Sequence, residues 1–496
     1  MIKRLKWLAL PVVAGMITSL GQAPINLPVL MVLGLAAIIW VTDKRQPSAR
    51  QAAAIGWAYG FGYFLISLHW IVSPFLVDVA KHGWMAPFAL ILMGAGGGLF
   101  WMLAFWGARR LGPQASWLIL TLPLAELLRA YIFTGFPWAT FSQGVLDVLW
   151  GQSLAVFGPH GVNVMLVVLA AAIAQLTSRN RITGTLLVVG MAMPLIVAVP
   201  QRAPKLTDHV VRLVQPNAPQ HEKWDPLMIP IFYDRQLAFT SAPATEGMTA
   251  PDLILWPETA IPWSLNHSEA ILEEISAAAG GTPVALGVQR REERRFYNAL
   301  VTLGPKGQVT QTYDKHHLVP FGEYMPLGDF AARFGFYGLA PQHGAGFSRG
   351  DGAQLLDMGA LGRALPLICY EAVFAHDVNA APDRPNFILH ATNDAWFGTY
   401  AGPQQHLAQA RMRAIEQGLP VARAANTGIS AMIGPRGQVL KSLGLNEAGY
   451  IDAFLPEPRQ PTLYSRTGDL PLALIMVLIL LARVLRVAAT QRTLFE

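Results

Sequence analysis

Cysteine is almost missing from this chain of 496 residues: there is one, Cys369. A lone thiol excludes an intramolecular disulfide framework. Charge is scarce too. Asp, Glu, Lys and Arg together make up 14% of the residues, where an ordinary soluble domain carries about 25%. Hydrophobic residues reach 53% and the mean hydropathy is +0.36, so the composition excludes an ordinary soluble protein. From Trp7 to Val41 no side chain is charged. That stretch holds two membrane helices of roughly 20 residues each, with the proline-bearing GQAPINLP (21–28) as the hairpin between them. No internal repeat of useful length is visible.

What the chain has instead is a series of apolar runs. They continue at about 52–74, 84–108, 115–133, 152–176 and 183–199, and a last one spans 469–487. The expectation is eight membrane helices, seven before residue 200 and one near the C-terminus. Basic residues fall in MIKRLK at the start and in the loops 42–50, 107–114 and 177–181. The intervening loops 21–28, 73–83 and 134–151 hold one Lys and no Arg. Positive loops stay cytoplasmic, which places the N-terminus and the tail RVLRVAATQR inside and everything between the seventh and eighth spans on the outer face. The first span, basic at its start, reads as a retained anchor rather than a cleaved signal. The net charge of +6 belongs mainly to the cytoplasmic loops and gives no reason to expect nucleic acid. In the transmembrane runs the ionisable pair Glu126 and Arg129 stands out. Spaced i,i+3, it pairs on one helix face or, alternatively, touches a lipid headgroup.

Three regions follow: a seven-helix membrane domain over 1–203, an outward-facing domain over 204–465, and a C-terminal span with its tail over 466–496. In the middle region short β-prone runs alternate with helical ones. HVVRLVQ (209–215), DLILW (252–256), PVALGVQ (283–289), RALPLIC (363–369) and NFILHAT (386–392) read as strands. Residues 225–242, 268–279 and 403–418 read as helices. NALVTLGPKGQVTQTYDK (298–315) and ISAMIGPRGQVLKS (429–442) read as hairpins turning at Gly-Pro-Lys-Gly and Gly-Pro-Arg-Gly. The class is α/β, with helices covering a sheet. The Gly-, Phe- and Tyr-rich stretch 326–352 reads as one or two mobile loops with apolar tips, or as a long surface connection.

Three reactive groups stand at predicted strand ends, where α/β sheets collect ligands. LILWPETAIPW (253–263) puts Glu258 just past a buried strand. TYDKHHLVPFGEYMP (312–326) puts Lys315 at the end of a hairpin strand, with Glu323 eight residues on. ALPLICYEAVF (364–374) ends its strand on Cys369. Each has an ordinary reading as well: a helix-terminal carboxylate, a solvated charged turn, and a buried cysteine acting as a small hydrophobe. Together they form a chemically coherent set. A carboxylate takes the thiol proton, the thiolate attacks a carbonyl, and a lysine stabilises the oxyanion. No cofactor is required. His316 and His317 are adjacent and lack ligand-spaced partners in sequence, so no metal site is expected. GAGGG (94–98) lies within an apolar span and reads as helix packing rather than a phosphate loop.

WPETA, YDKHHLVPFGEYMP, ICYE and NDAWFG (393–398), in that order, resemble the nitrilase, or carbon–nitrogen hydrolase, superfamily. Flanked by the membrane spans, the whole resembles its apolipoprotein N-acyltransferase branch. The resemblance implies a multi-pass helical membrane domain plus an αββα sandwich, with Glu258 as general base, Lys315 as oxyanion stabiliser and Cys369 as nucleophile. It also matches Glu323 and Glu371 to further acidic positions, and Trp224, Tyr370 and Trp396 to aromatic positions near the active site. The implied reaction is ping-pong. Cys369 takes an acyl chain, from the sn-1 position, off a membrane phospholipid and passes it to the α-amine of a diacylglyceryl-cysteine in an apolipoprotein at the bacterial inner membrane. A membrane-tethered amidase or nitrilase hydrolysing a small amide would use the same triad. A transporter or receptor without catalysis is the remaining class. Eight spans favour the lipid substrate on physical grounds, since drawing an acyl chain out of a bilayer costs about 0.8 kcal/mol per methylene.

Overall fold

The computed structural model describes residues 6–176, 181–200, 202–326 and 346–492. Most of the 326–352 stretch, read above as mobile loops, lies outside the described residues. The chain divides into two compact units. One comprises Met1–Gln201, Tyr400–Ala408 and Pro461–Glu496, the other Arg202–Thr399 and Gln409–Gln460.

The first unit is helical. Among the described residues four helices are long and apolar enough to cross a membrane: Val79–Leu111, Ala115–Thr134, Leu149–Gln175 and Leu470–Thr490. A fifth is the pair Ala49–Ser67 and His69–Leu76, bent by 49°. Ala9–Ser19 is apolar but short. The structure therefore supports several apolar spans, and the expected count of eight is not reached by these criteria. GAGGG behaves as helix packing: a Cβ on Gly98 would lie 2.8 Å from the Trp57 carbonyl oxygen, and one on Gly60 would lie 2.8 Å from Gly98 Cα. Glycine is what lets these two backbones touch.

Glu126 and Arg129 are an internal pair, 1% and 3% exposed, with Nη2 2.6 Å from the carboxylate. The Trp101 indole N–H also donates to Glu126 at 2.8 Å, and Arg129 donates to the carbonyls of Phe136 and Trp138. Every charged atom has a protein partner nearby, which excludes the alternative of a lipid headgroup contact. Gln405, in the segment that packs with this unit, uses its side chain fully. Its Oε1 accepts the indole N–H groups of Trp70 (3.1 Å) and Trp138 (2.7 Å), and its Nε2 donates to the carbonyls of Ala23 and Ser67, both at 3.1 Å.

The second unit holds two six-stranded sheets. The first has the order β12-β1-β2-β3-β4-β5, built from β1 (Leu206–Gln215), β2 (Leu253–Leu255), β3 (Val284–Glu292), β4 (Arg295–Leu303), β5 (Val309–Asp314) and β12 (Gly449–Pro456). The second has the order β11-β10-β9-β8-β7-β6, built from β6 (Leu356–Asp357), β7 (Arg363–Ile368), β8 (Phe387–Thr392), β9 (Val421–Ala425), β10 (Ala431–Ile433) and β11 (Val439–Ser442). In each sheet three central strands run parallel, with antiparallel strands outside them. Period-2 alternation sorts the side chains. Val211, Leu213, Leu253 and Leu255 join Ile368, Leu389, Ala422 and Ala424 in one core cluster between the sheets. Val214, Ile254 and Trp256 face the other way and pack with Tyr233, Leu272 and Ile275 from helices Ile229–Ser241 and Glu269–Ala278. Strands buried on both faces read as continuous apolar runs, which is why most were visible in sequence.

Strand β12 was not among the sequence expectations, and its sequence GYIDAFLP carries an aspartate in mid-strand. The structure shows how that charge is accommodated. Asp452 pairs in register with Arg212 of β1, whose guanidinium meets the carboxylate at 2.7 and 2.9 Å with both side chains buried.

Candidate active site

Both sheets deliver polar groups from the ends of their strands. Glu258 follows β2 across Trp256-Pro257. Gly287 of β3 makes that turn possible, since a Cβ there would lie 2.6 Å from Glu258 Cα and from the Pro257 oxygen. Lys315 follows β5, with its backbone N–H held by the Asn298 carbonyl at 2.8 Å. Cys369 follows β7. The sequence placed it as the last strand residue, but the strand ends at Ile368 and Cys369 turns to φ +50°, a left-handed conformation that costs energy for a residue with a Cβ and is typical of functional turns. Asn393 follows β8 and Asn426 follows β9.

Lys315 Nζ lies 3.2 Å from Glu258 Oε1 and 2.9 Å from Glu323 Oε1. The Asn298 amide donates to the same two oxygens, at 2.7 and 3.0 Å. The other Glu258 oxygen accepts the backbone N–H of Asn393 at 2.9 Å. Asn393 is itself held by Gln220 and Asn426, at 2.8 and 2.9 Å. Lys223, buried, donates to the Glu258 carbonyl at 3.3 Å.

Glu371 is the hinge between the lysine and cysteine turns. Fully buried, it accepts the Ile368 N–H at 2.7 Å on one oxygen. Its other oxygen accepts the Tyr313 hydroxyl and the backbone N–H groups of His316 (2.8 Å) and His317 (3.2 Å). Behind Cys369, His390 Nε2 lies 3.1 Å from the Cys369 carbonyl oxygen, and Arg423 bridges the His390 ring to Asp394.

The electrostatics follow from burial opposed by pairing. Burial raises the Cys369 thiol well above its usual range, the nearby Glu258 charge adds to the rise, and Lys315 offsets only part of it. Burial would raise Glu258 too, but the Lys315 charge, hydrogen bonds from Asn298 and Lys315, and the Lys223 charge hold it below the ordinary value. Lys315 loses by burial and gains more from Glu258 and Glu323, so its ammonium is retained. Lys223, with burial dominant and only Glu258 to offset it, falls to about 8. At neutral pH the resting constellation is a thiol, a carboxylate and an ammonium.

Two family models match in tandem. Residues 14–172 match the apolipoprotein N-acyltransferase N-terminal domain, and residues 196–459 match the carbon-nitrogen hydrolase model. The apolipoprotein N-acyltransferase of Rhodopseudomonas palustris is 35% identical over 503 residues, covering 95% of this chain and 94% of the relative. That of Brucella suis is 36% identical with the same coverage. This chain belongs to the apolipoprotein N-acyltransferase family. Its carbon-nitrogen hydrolase region carries the two sheets described above. Among solved structures, an amidase from Nesterenkonia sp. aligns with 54% of this chain and 96% of its own at 21% identity and a TM-score of 0.37.

The structure brings Lys315 into contact with both Glu258 and Glu323, and Glu371 ties the turn that carries Cys369 to the turn that carries Lys315. Tyr370, buried, packs edge-on against Phe374 with ring centroids 4.9 Å apart. Trp396 is half-buried in the short turn Asp394–Phe397 that follows Asn393. Trp224 is 40% exposed, with the Lys223 ammonium 4.8 Å from its ring centre. Sequence reading missed Asn298, Asn393 and Lys223. Asn298 opens the hairpin that carries Lys315, and Asn393 opens NDAWFG, so both lay within motifs already singled out. Lys223 had no signal beyond standing next to Trp224.

Proposed function

We propose that this protein moves a fatty acyl chain from a membrane phospholipid, through a thioester on Cys369, to the N-terminal amine of a diacylglyceryl-cysteine in apolipoproteins. The observation that carries this reading is the pairing of Glu258, Asn298, Lys315 and Glu323 in one buried network beside the Cys369 turn, in a chain of the apolipoprotein N-acyltransferase family.

The resting thiol is protonated, so deprotonation accompanies attack. Glu258 takes the Sγ proton as sulfur bonds to the ester carbonyl carbon, and the Lys315 ammonium faces the oxyanion. Collapse breaks the acyl carbon–oxygen bond, and Glu258 returns the proton to the departing lysophospholipid alkoxide. The incoming α-amine then attacks the thioester and loses a proton to Glu258. The carbon–sulfur bond breaks, leaving an amide, and the thiolate recovers the proton. Glu323 and Asn298 hold Lys315 and Glu258 at fixed spacing, so little reorganisation is needed during reaction. Glu371 fixes the relation between the two turns, and Trp224, Tyr370 and Trp396 line the approach.

In this reading eight spans place both termini in the cytoplasm and the 204–465 region in the periplasm. The charge asymmetry of the loops supports that topology, and reporter fusions after residues 113 and 446 test it.

The decisive experiment follows intact mass after incubation with phospholipid vesicles. The parent gains one fatty-acyl increment, and Cys369→Ala gains none. A diacylglyceryl peptide then discharges the increment as N-acyl peptide. Discharge to water alone, at the same rate with or without peptide, would overturn transfer in favour of hydrolysis.

A further inference from the structure

The acyl-transfer chemistry leaves one buried cluster unused. His316 and His317 have no ligand-spaced partner along the chain, yet folding brings one from sixty residues away. His317 Nδ1 lies 2.6 Å from Asp377 Oδ2. His376 Nε2 lies 3.5 Å from the other Asp377 oxygen, and His316 Nε2 lies 3.7 Å from Oδ2. One donor atom each from His317, His376 and Asp377 fall within 4.8 Å of one another.

Two further observations point to a ligand. His317 is only 7% exposed, and the nitrogen it turns to Asp377 is closed off from bulk water. Its ring is also fixed, stacked on Phe374 with centroids 3.5 Å apart at 14°, while Glu371 holds its backbone N–H. Preset imidazoles with an adjacent carboxylate are the usual make-up of a transition-metal site. His376, at 29% side-chain exposure, leaves the cluster open on one side.

We propose that His317, His376 and Asp377 form a three-donor site for a divalent transition cation of the zinc class. Two imidazoles and one carboxylate suit that class, whereas calcium and magnesium favour all-oxygen sets. Around a tetrahedral ion the donors draw in to roughly 3.3 Å apart, with water in the fourth position. The cation replaces the proton shared by His317 and Asp377, which passes to solvent. His316 is the outer partner, its Nδ1 placed 2.7 Å from the Tyr313 hydroxyl and 2.8 Å from Glu371. Because Glu371 also holds Ile368, the site adjoins the nucleophile turn without sharing a catalytic side chain. The inference does not depend on the acyl-transfer reading.

The test uses full-length protein in detergent micelles, without a polyhistidine tag and in the Cys369→Ser background, which removes thiolate ligation. Titration with Co²⁺ is expected to give one equivalent of visible d–d absorption that Zn²⁺ displaces. Asp377→Asn and His376→Gln should each weaken Co²⁺ binding by roughly 100-fold or more. His376→Gln alters a side chain at the surface, so its unchanged melting temperature without metal serves as the folding control. Absence of stoichiometric binding in the parent background overturns the proposal, as does binding that survives either substitution.

Discussion

The carboxylate of Glu371, two residues past Cys369, accepts the backbone N–H of His316, one residue past Lys315, at 2.8 Å. One buried side chain thus ties the Cys369 turn of one sheet to the Lys315 turn of the other. Four donors converge on it, three on one oxygen and the Ile368 N–H on the second. Glutamine can accept on one side only. Glu371→Gln should leave at least one buried N–H unsatisfied and destabilise the fold by about 1–3 kcal/mol. Acyl-enzyme formation should fall by more than the unfolded fraction explains, measured by intact mass well below the melting temperature. Full acylation at unchanged stability would show that Glu371 holds neither turn.

Lys223 sets a pH-dependent contribution to stability. Its folded pKa is lowered by burial to about 8, from an ordinary 10.5. Between those values the unfolded chain holds more protons than the folded one, so this contribution rises with pH. At pH 7 both states are protonated and the buried charge is a net cost, on the order of 3 kcal/mol at about 1.4 kcal/mol per unit. Lys223→Met should therefore be more stable than the parent at pH 7, with the gap closing by pH 10.5. Paired melting curves across that window check it, and a gap that does not vary with pH counts against it. Removing this cation should also move the acid limb of Cys369 acylation upward, since Lys223 helps to keep Glu258 ionised.

Gly287 carries the Glu258 turn. Gly287→Ala would place a Cβ 2.6 Å from Glu258 Cα and the Pro257 oxygen, and the neighbouring atoms are backbone that cannot swing away. Overpacking of this kind costs about 1–3 kcal/mol. More specifically, it should push Glu258 off Lys315 and slow acylation strongly, since small misplacements of catalytic groups are costly. Single-turnover acylation measures this, and a parent-like rate would mean the turn can move without consequence.

In the membrane unit, Arg129→Met strands the Glu126 carboxylate and frees the Phe136 and Trp138 carbonyls. Breaking a buried pair from one side costs about 3–5 kcal/mol. The double change Glu126→Leu with Arg129→Met should recover part of the loss. Thermal unfolding in detergent compares them, and a double variant no better than the single one would mean the pair is not the dominant interaction.

Much of the site was legible because its residues stand at strand ends, and strands buried on both faces announce themselves as apolar runs. Glu258 and Cys369 were singled out that way, whereas Lys315 was singled out as the end of a hairpin arm on an exposed edge strand. Asn393 and Asn298 were not, because what they contribute is a backbone N–H and a bridging amide, neither of which has a distinctive residue signature. The strand around Asp452 was missed as well, and its charge is tolerated only because Arg212 lies opposite in the neighbouring strand.

Apolar runs and ordered motifs were enough, in sequence alone, to determine a chain with apolar membrane helices, an α/β region and a single cysteine. Those are local properties, written in composition and spacing. Only the tertiary structure decided that Cys369 sits in a left-handed turn, that Lys315 lies between two carboxylates, and that His317 meets Asp377. The Lys315–Glu258 and His317–Asp377 pairs join side chains dozens of residues apart in sequence, meeting in a space closed to water where a charge or a ring nitrogen must find a partner.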